Sequence, residues 1–129
     1  MRFTFLAVAF LTSVGCQSPV APRVVGTWGG TQASLILDPS GGTVSYPCGA
    51  GTVDSTWSFT SDGRFTGSGL HYFGGGPAPA QGRQPHPARY TGQVAGDNLD
   101  LSVILTDVNQ TLGPFRLVRG GPVVRELCV

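Results

Sequence analysis

Along most of this chain apolar and polar residues alternate. The clearest stretch is Asn98 to Thr106, where Leu99, Leu101, Val103 and Leu105 fall on one side and Asp100, Ser102 and Thr106 on the other, with Ile104 alone out of step. Period-2 alternation is the mark of a half-buried strand. Similar runs are Val24 to Leu37, Thr43 to Cys48, Ser55 to Thr60, Arg64 to Phe73, Ala88 to Ala95, Phe115 to Arg119 and Val123 to Cys128, which makes eight candidate strands. Nowhere do apolar residues recur at i, i+3, i+4 and i+7 over even three turns, so no helix is predicted.

The joints between these runs are short and rich in turn formers: Pro39-Ser40-Gly41-Gly42, Ser61-Asp62-Gly63, Gly96-Asp97-Asn98 and Gly120-Gly121-Pro122. Tight turns of this chemistry join antiparallel neighbours. Eight meandering strands with one apolar face leave two exposed edges unless the sheet closes on itself. The pattern therefore predicts an all-β fold, a single small antiparallel up-and-down barrel of about eight strands. A β-sandwich is the alternative, and it needs longer crossovers than most of these turns allow. One connection is long, Gly74 to Pro87, with four prolines and four glycines. That composition excludes a regular element, and loops of this length are uncommon unless functional or disordered.

The beginning of the chain has a different pattern. Met1-Arg2 carries one charge, Phe3 to Val14 carries none, and Leu11-Thr12-Ser13-Val14-Gly15 leads to Cys16. Twelve uncharged residues are too few to span a bilayer core, which needs roughly 20 in a helix, but they suit the apolar region of a signal peptide. The segment ending Gly15-Cys16, followed by polar Gln17-Ser18, resembles the bacterial lipobox, with Ser13 where that motif prefers Leu. The resemblance implies cleavage after Gly15, lipidation of Cys16 and a palmitate-like acyl anchor in the cell envelope. Several acyl chains at about 0.8 kcal/mol per buried methylene make a practically permanent anchor. Gln17 rather than Asp after the cysteine implies the periplasmic face of the outer membrane in a Gram-negative cell, and otherwise the outer face of the cytoplasmic membrane.

On this reading residues 1–15 are the signal peptide, 16–23 a proline-containing tether and 24–129 the barrel domain. Removing residues 1–15 leaves 114 of 129, the size of one domain. Those 114 hold seven Arg, no Lys, six Asp and Glu126, for a formal charge of zero. Without a basic stripe there is no footprint for nucleic acid. With Cys16 given to lipid, Cys48 and Cys128 remain, in a compartment where disulfides persist. They are expected to pair and to seal the barrel. The enclosed loop of about 80 residues corresponds to ~4.5 kcal/mol in the chain-entropy account. No CxxC or HxxxH spacing suggests a metal, and no cofactor is expected.

Gly26-Thr27-Trp28 at the start of the first run is similar to the G-x-W signature of lipocalins and related small barrels. That resemblance implies a Trp plugging one barrel end, packed on an Arg of the last strand, for which Arg119 and Arg125 are the candidates. Tyr46-Pro47-Cys48 and Ala88-Arg89-Tyr90 resemble segments of the membrane-bound C-type lysozyme inhibitor family, although Gly92 to Gly96 stands where that family has a Trp-containing segment. Catalysis finds no motif: there is no G-x-S-x-G elbow, the carboxylates are scattered, and His86 lies between two prolines.

A non-catalytic, monomeric protein is expected. The first reading is an interaction role, in which the long loop with Arg83, His86 and Arg89 meets an envelope protein such as an enzyme to be inhibited. The alternative is a lipocalin-like binder holding a small apolar ligand in the barrel mouth beside Tyr72, Phe73 and Tyr90. Nine aromatics in the folded part are enough to fill a small barrel, which favours the first.

Overall fold

The computed structural model describes residues 23–74 and 84–124, and every regular element among them is a strand. These are β1 (Gly26–Gly29), β2 (Ser34–Asp38), β3 (Gly41–Tyr46), β4 (Gly49–Val53), β5 (Ser58–Phe59), β6 (Arg64–Phe73), β7 (His86–Ala95), β8 (Asn98–Leu105) and β9 (Gln110–Arg119). All neighbours are antiparallel. The order β4-β3-β2-β1-β9-β8-β7-β6 closes through a β4–β6 ladder, giving an eight-stranded up-and-down barrel with β5 as an extra strand on β6.

Closure, expected from a Cys48 to Cys128 disulfide, is made instead by backbone ladders. Gly49 to Val53 pair with Phe73 to Gly69 on one side, and Trp28 and Gly29 pair with Arg119 and Val118 on the other. Cys128 lies outside the described residues, as do Cys16, Arg83, Arg125, and the expected signal peptide and tether as far as residue 22.

Four strand expectations change. Val24 to Leu37 is a hairpin rather than one strand, because the chain turns over residues 30–33 between β1 and β2. Ser55 to Thr60 shortens to the two residues of β5. This strand continues the line of β4 along β6 after an interruption, bridged by Asp54 N–H donating to Ser68 O at 2.8 Å. Phe115 to Arg119 lengthens to β9, whose ladder with β8 shifts register around Gly113-Pro114, where proline has no N–H to give. Of Val123 to Cys128, Val123 and Val124 are not in a strand and the rest is outside the described residues.

The barrel interior is filled. Trp28, Leu35, Leu37, Phe65, Tyr90, Leu99, Leu101, Leu105 and Leu117 are all fully buried. Glycines face them where large side chains need room. A Cβ on Gly51 would stand 2.3 Å from Tyr90 Oη, so the glycine of β4 and the tyrosine of β7 complement each other. At the end where β1 begins, Trp28 plugs the barrel. Its Nε1 donates to Val24 O at 2.9 Å, and the Arg119 guanidinium lies 4.3 Å from its ring centroid. The same guanidinium donates to Val25 O at 3.4 Å and to Arg23 O, and its Nε stands 3.5 Å from Asp97 Oδ1. One side chain thus ties the chain entering the barrel to the strand that completes it.

After β9 the backbone turns at Gly120 and crosses the outside of the β1–β2 hairpin. Val124 N–H donates to Ser34 Oγ at 3.1 Å, which explains why Ser34, on the outer face of β2, is buried. The strap fits because residue 29 has no side chain: a Cβ there would be 2.2 Å from Gly121 C and 2.3 Å from Pro122 O. Gly29→Ala should therefore lift the strap and lower stability by about 1–3 kcal/mol. The urea midpoint measures this, and an unchanged midpoint would contradict the packing described.

Candidate functional site

The end opposite the Trp28 plug gathers the turn between β3 and β4, the end of β6, the start of β7 and the turn between β8 and β9. The alternation of β6 sends Phe65, His71 and Phe73 to the inner side and Leu70 and Tyr72 to the outer one. His71 pairs with Gly51 on one side and with His86 on the other, so the two histidines stand on neighbouring strands at the barrel mouth.

A chain of aromatic contacts runs round this mouth. Phe115 packs on Tyr46 (5.7 Å between centroids), Tyr46 on His71 (5.0 Å), His71 on Phe73 (4.6 Å) and Phe73 on His86 (5.3 Å), the last three with rings edge to face. Such pairs contribute about 0.5–1.5 kcal/mol each beyond their buried area. The chain ends on a carboxylate: His86 Nδ1 is 2.7 Å from Asp107 Oδ2. Asp107 belongs to the turn before β9, so this contact fixes that turn against β7.

Tyr46, Pro47, Cys48, Gly49, His71, Phe73 and Leu112 line a pocket of about 240 Å³. Two of these residues carry a polar atom that is buried out of reach of solvent and has no hydrogen-bond partner, Tyr46 Oη and His71 Nδ1. Tyr46 is 7% exposed and His71 3%. Leaving such groups unpaired costs about 1–3 kcal/mol each, so they need a reason to be there. Tyr90 shows the usual arrangement: the same phenol, deeper in the barrel, donates to Leu70 O at 2.7 Å. Burial, with Tyr90 as the lesser cause, pushes the Tyr46 hydroxyl far above the ordinary phenol range. Burial, with His86 nearby, holds His71 below the usual histidine value. Both side chains are therefore neutral at pH 7.

A second hollow, at the turn between β2 and β3, offers less. It is lined by Ile36, Asp38, Ser40, Gly41, Gly42, Thr43 and Val53. Its carboxylate, Asp38, already accepts from Ser40 N–H at 2.7 Å, and the Ser40 contacts draw its pKa down. Among the described residues no three of His, Cys, Asp and Glu come together as metal ligands.

The residues singled out from sequence divide into three groups. Phe73 and His86 are in the mouth, in contact with each other. Tyr90 is fully buried in the barrel, and Tyr72 and Arg89 belong to the outer face. Arg83 is outside the described residues. Of the two arginines considered for Trp28, Arg119 lies over its ring, and Arg125 is outside the described residues. Sequence reasoning missed Tyr46, His71, Leu112, Phe115 and Asp107 as mouth residues. Parity along Arg64 to Phe73 was the available signal, since it puts His71 with Phe73 and separates Tyr72 from both. No known protein family, curated protein or solved structure matches this chain.

The depressed His71 has a consequence for stability. Below its ordinary value of 6.5 the unfolded chain binds a proton that the folded chain refuses, so stability is complete above about pH 6.5 and falls as pH drops below it. Asp38 and Asp62, both held below 3.8, titrate outside this window. The groups facing His71 are Tyr46, Phe73 and His86. The thermal midpoint should drop between pH 7 and pH 5, and His71→Phe should flatten that drop. An equal drop in both proteins would refute this assignment to His71.

Proposed function

We propose that this chain is a lipid-anchored lipoprotein of the bacterial cell envelope with a non-catalytic interaction role. Its barrel serves as a rigid mount whose loop end, with the Gly74 to Pro87 connection beside it, meets a protein partner, an enzyme to be inhibited among the candidates. The observation that carries this reading is the filled interior. Side chains from β1, β2 and β6 to β9 occupy the barrel from the Trp28 plug to Tyr90 and, among the described residues, leave no deep calyx. A solid barrel displays surface and does not store cargo. Photo-crosslinking in the intact cell tests it: a crosslinker at Val108, exposed in the β8–β9 turn, should give a discrete adduct, and one at Ser61, at the opposite end, should not. Equal adducts from both ends, or none at Val108, would refute it.

The mouth pocket favours a second reading, in which a small ligand seats among Tyr46, His71, Phe73 and Leu112. The two readings share one face of the barrel and differ in what covers it.

The anchor and the disulfide belong to the same proposal. The strap after β9 is fixed at Ser34, which faces Ser45 across the β2–β3 ladder, and Cys48 follows Ser45 by three residues. Cys128 follows Val124 by four residues, a reach of up to about 14 Å. The strap therefore heads toward Cys48, which supports pairing. Cys16→Ser should move the protein from the membrane to the soluble fraction, and the unfolded mature protein should show no thiol to Ellman's reagent. Retained membrane partitioning would refute the anchor, and two reactive thiols the disulfide.

A further inference from the structure

We propose that the barrel seam between β4 and β6 opens at its mouth end in acid and closes at neutral pH, with His71 as the proton-sensitive staple. Near the mouth the seam is poor in side chains: β4 sets Gly49, Ala50 and Gly51 against Phe73, Tyr72 and His71 of β6. Of these three, Gly49 and Gly51 are the ones on the inner side with His71, so β4 contributes no inner side chain there. A ring contact spans it instead. Tyr46 is opposite Gly49 on β3 and His71 opposite Gly51 on β6, and the two rings meet edge to face at 5.0 Å between centroids, across the glycine strand. Segments with few buried apolar contacts open at a lower free energy than the rest of a fold.

His71 is 3% exposed and packed between the rings of Tyr46 and Phe73. A proton on it puts a charge into that stack, directly across the ladder from His86, and like charges on opposed residues repel. The ionisable groups packed about it are Tyr46 from β3 and His86 from β7, with Asp107 of the β8–β9 turn in contact with His86. β4 brings none between Gly49 and Val53. Burial first, and His86 second, hold the imidazole of the closed mouth below the ordinary 6.5. Released from the stack, it regains that value. Above pH 6.5 neither state takes the proton and closure is unaffected, whereas below it the open state alone does. The ratio of open to closed then rises by up to about tenfold per pH unit, until His71 titrates in the closed state.

The response is confined to one end of the barrel. The chain holds two histidines, and both stand at the mouth on opposed residues of β6 and β7. The other end is closed by Arg119 over Trp28 and by Trp57, whose Nε1 donates to Asp38 O at 2.9 Å. His71 is two residues from the end of β6, so its release requires the separation of a short stretch of ladder and not of the whole sheet. Whatever is seated on the mouth at neutral pH loses part of its surface in acid, whether it is a protein or a small ligand.

Amide hydrogen exchange of the full chain, followed by NMR at pH 7 and pH 5 and corrected for the intrinsic rate at each pH, tests this. The mouth end of the seam is reported by Ala50, Tyr72 and Gly74, whose N–H donates to Cys48 O at 2.8 Å. The plug end is reported by Arg119 and Gly120, whose N–H groups donate to Asp97 O and Thr27 O, each at 2.8 Å. The expected result is a loss of protection of about tenfold or more at the mouth amides and none at the plug amides. Tryptophan fluorescence should stay constant, since both tryptophans belong to the plug end. His71→Phe keeps a ring and removes the proton site, and should abolish the loss. Equal loss at both ends, no loss at either, or the same loss in His71→Phe would overturn the proposal. If that variant does not fold, the native chain decides. Protection at the mouth must begin to fall near pH 6.5 and level off once the ring resonances of His71 have titrated. A loss that continues beyond that titration, or a His71 that titrates at 6.5 or above, would overturn it.

Discussion

The structure depends on a sheet that must meet itself. Only two residue pairs join β1 to β9, and a two-residue ladder is weak without reinforcement. Arg119 supplies it, covering the Trp28 ring while binding the carbonyls of Arg23 and Val25. Stacking on Trp contributes about 0.5–2 kcal/mol, and the buried indole several more through its apolar area. The entering chain, the first strand and the last strand are thereby held at one point, and with that end closed the remaining strands need only follow the register their turns impose. The opposite end is then available for loops, unpaired polar atoms and whatever covers them.

Much of this was legible in the alternation of residues. Leu99, Leu101, Val103 and Leu105 face inward on β8, and the expected turns at residues 39–42, 61–63, 96–98 and 120–122 all lie where the chain reverses or leaves the sheet. An eight-stranded meandering barrel followed from those signals. β4 was invisible because Gly49-Ala50-Gly51-Thr52-Val53 carries almost no apolar side chain. Its inward glycines accommodate Tyr90 and the backbone at Tyr72, so the apolar signal for that strand is written on its partners. Val24 to Leu37 read as one strand because both arms of the hairpin are apolar, although fourteen residues exceed the usual strand of 3–10.

The mouth was harder to read for the same kind of reason. Tyr46, His71 and Phe115 become neighbours only through the closure of β4 on β6 and β9 on β8, contacts no local pattern announces. Tyr72 and Arg89 were attractive as chemistry but stand on the wrong parity of their strands. Aromatic content alone did not separate a structural tyrosine from one with an unmet hydroxyl. Burial and hydrogen bonding do, and they distinguish Tyr90 from Tyr46.

The pairing of Trp28 with Arg119 joins positions 91 residues apart in the chain. Synthesis delivers β1 early and β9 late, so until β9 has emerged the nascent protein can form only an open sheet. During that interval β1 presents an unpaired edge, the kind of surface on which other chains aggregate. Folding of this barrel is therefore gated by completion of the chain, and anything that delays delivery of β9 lengthens the time for which that edge is exposed.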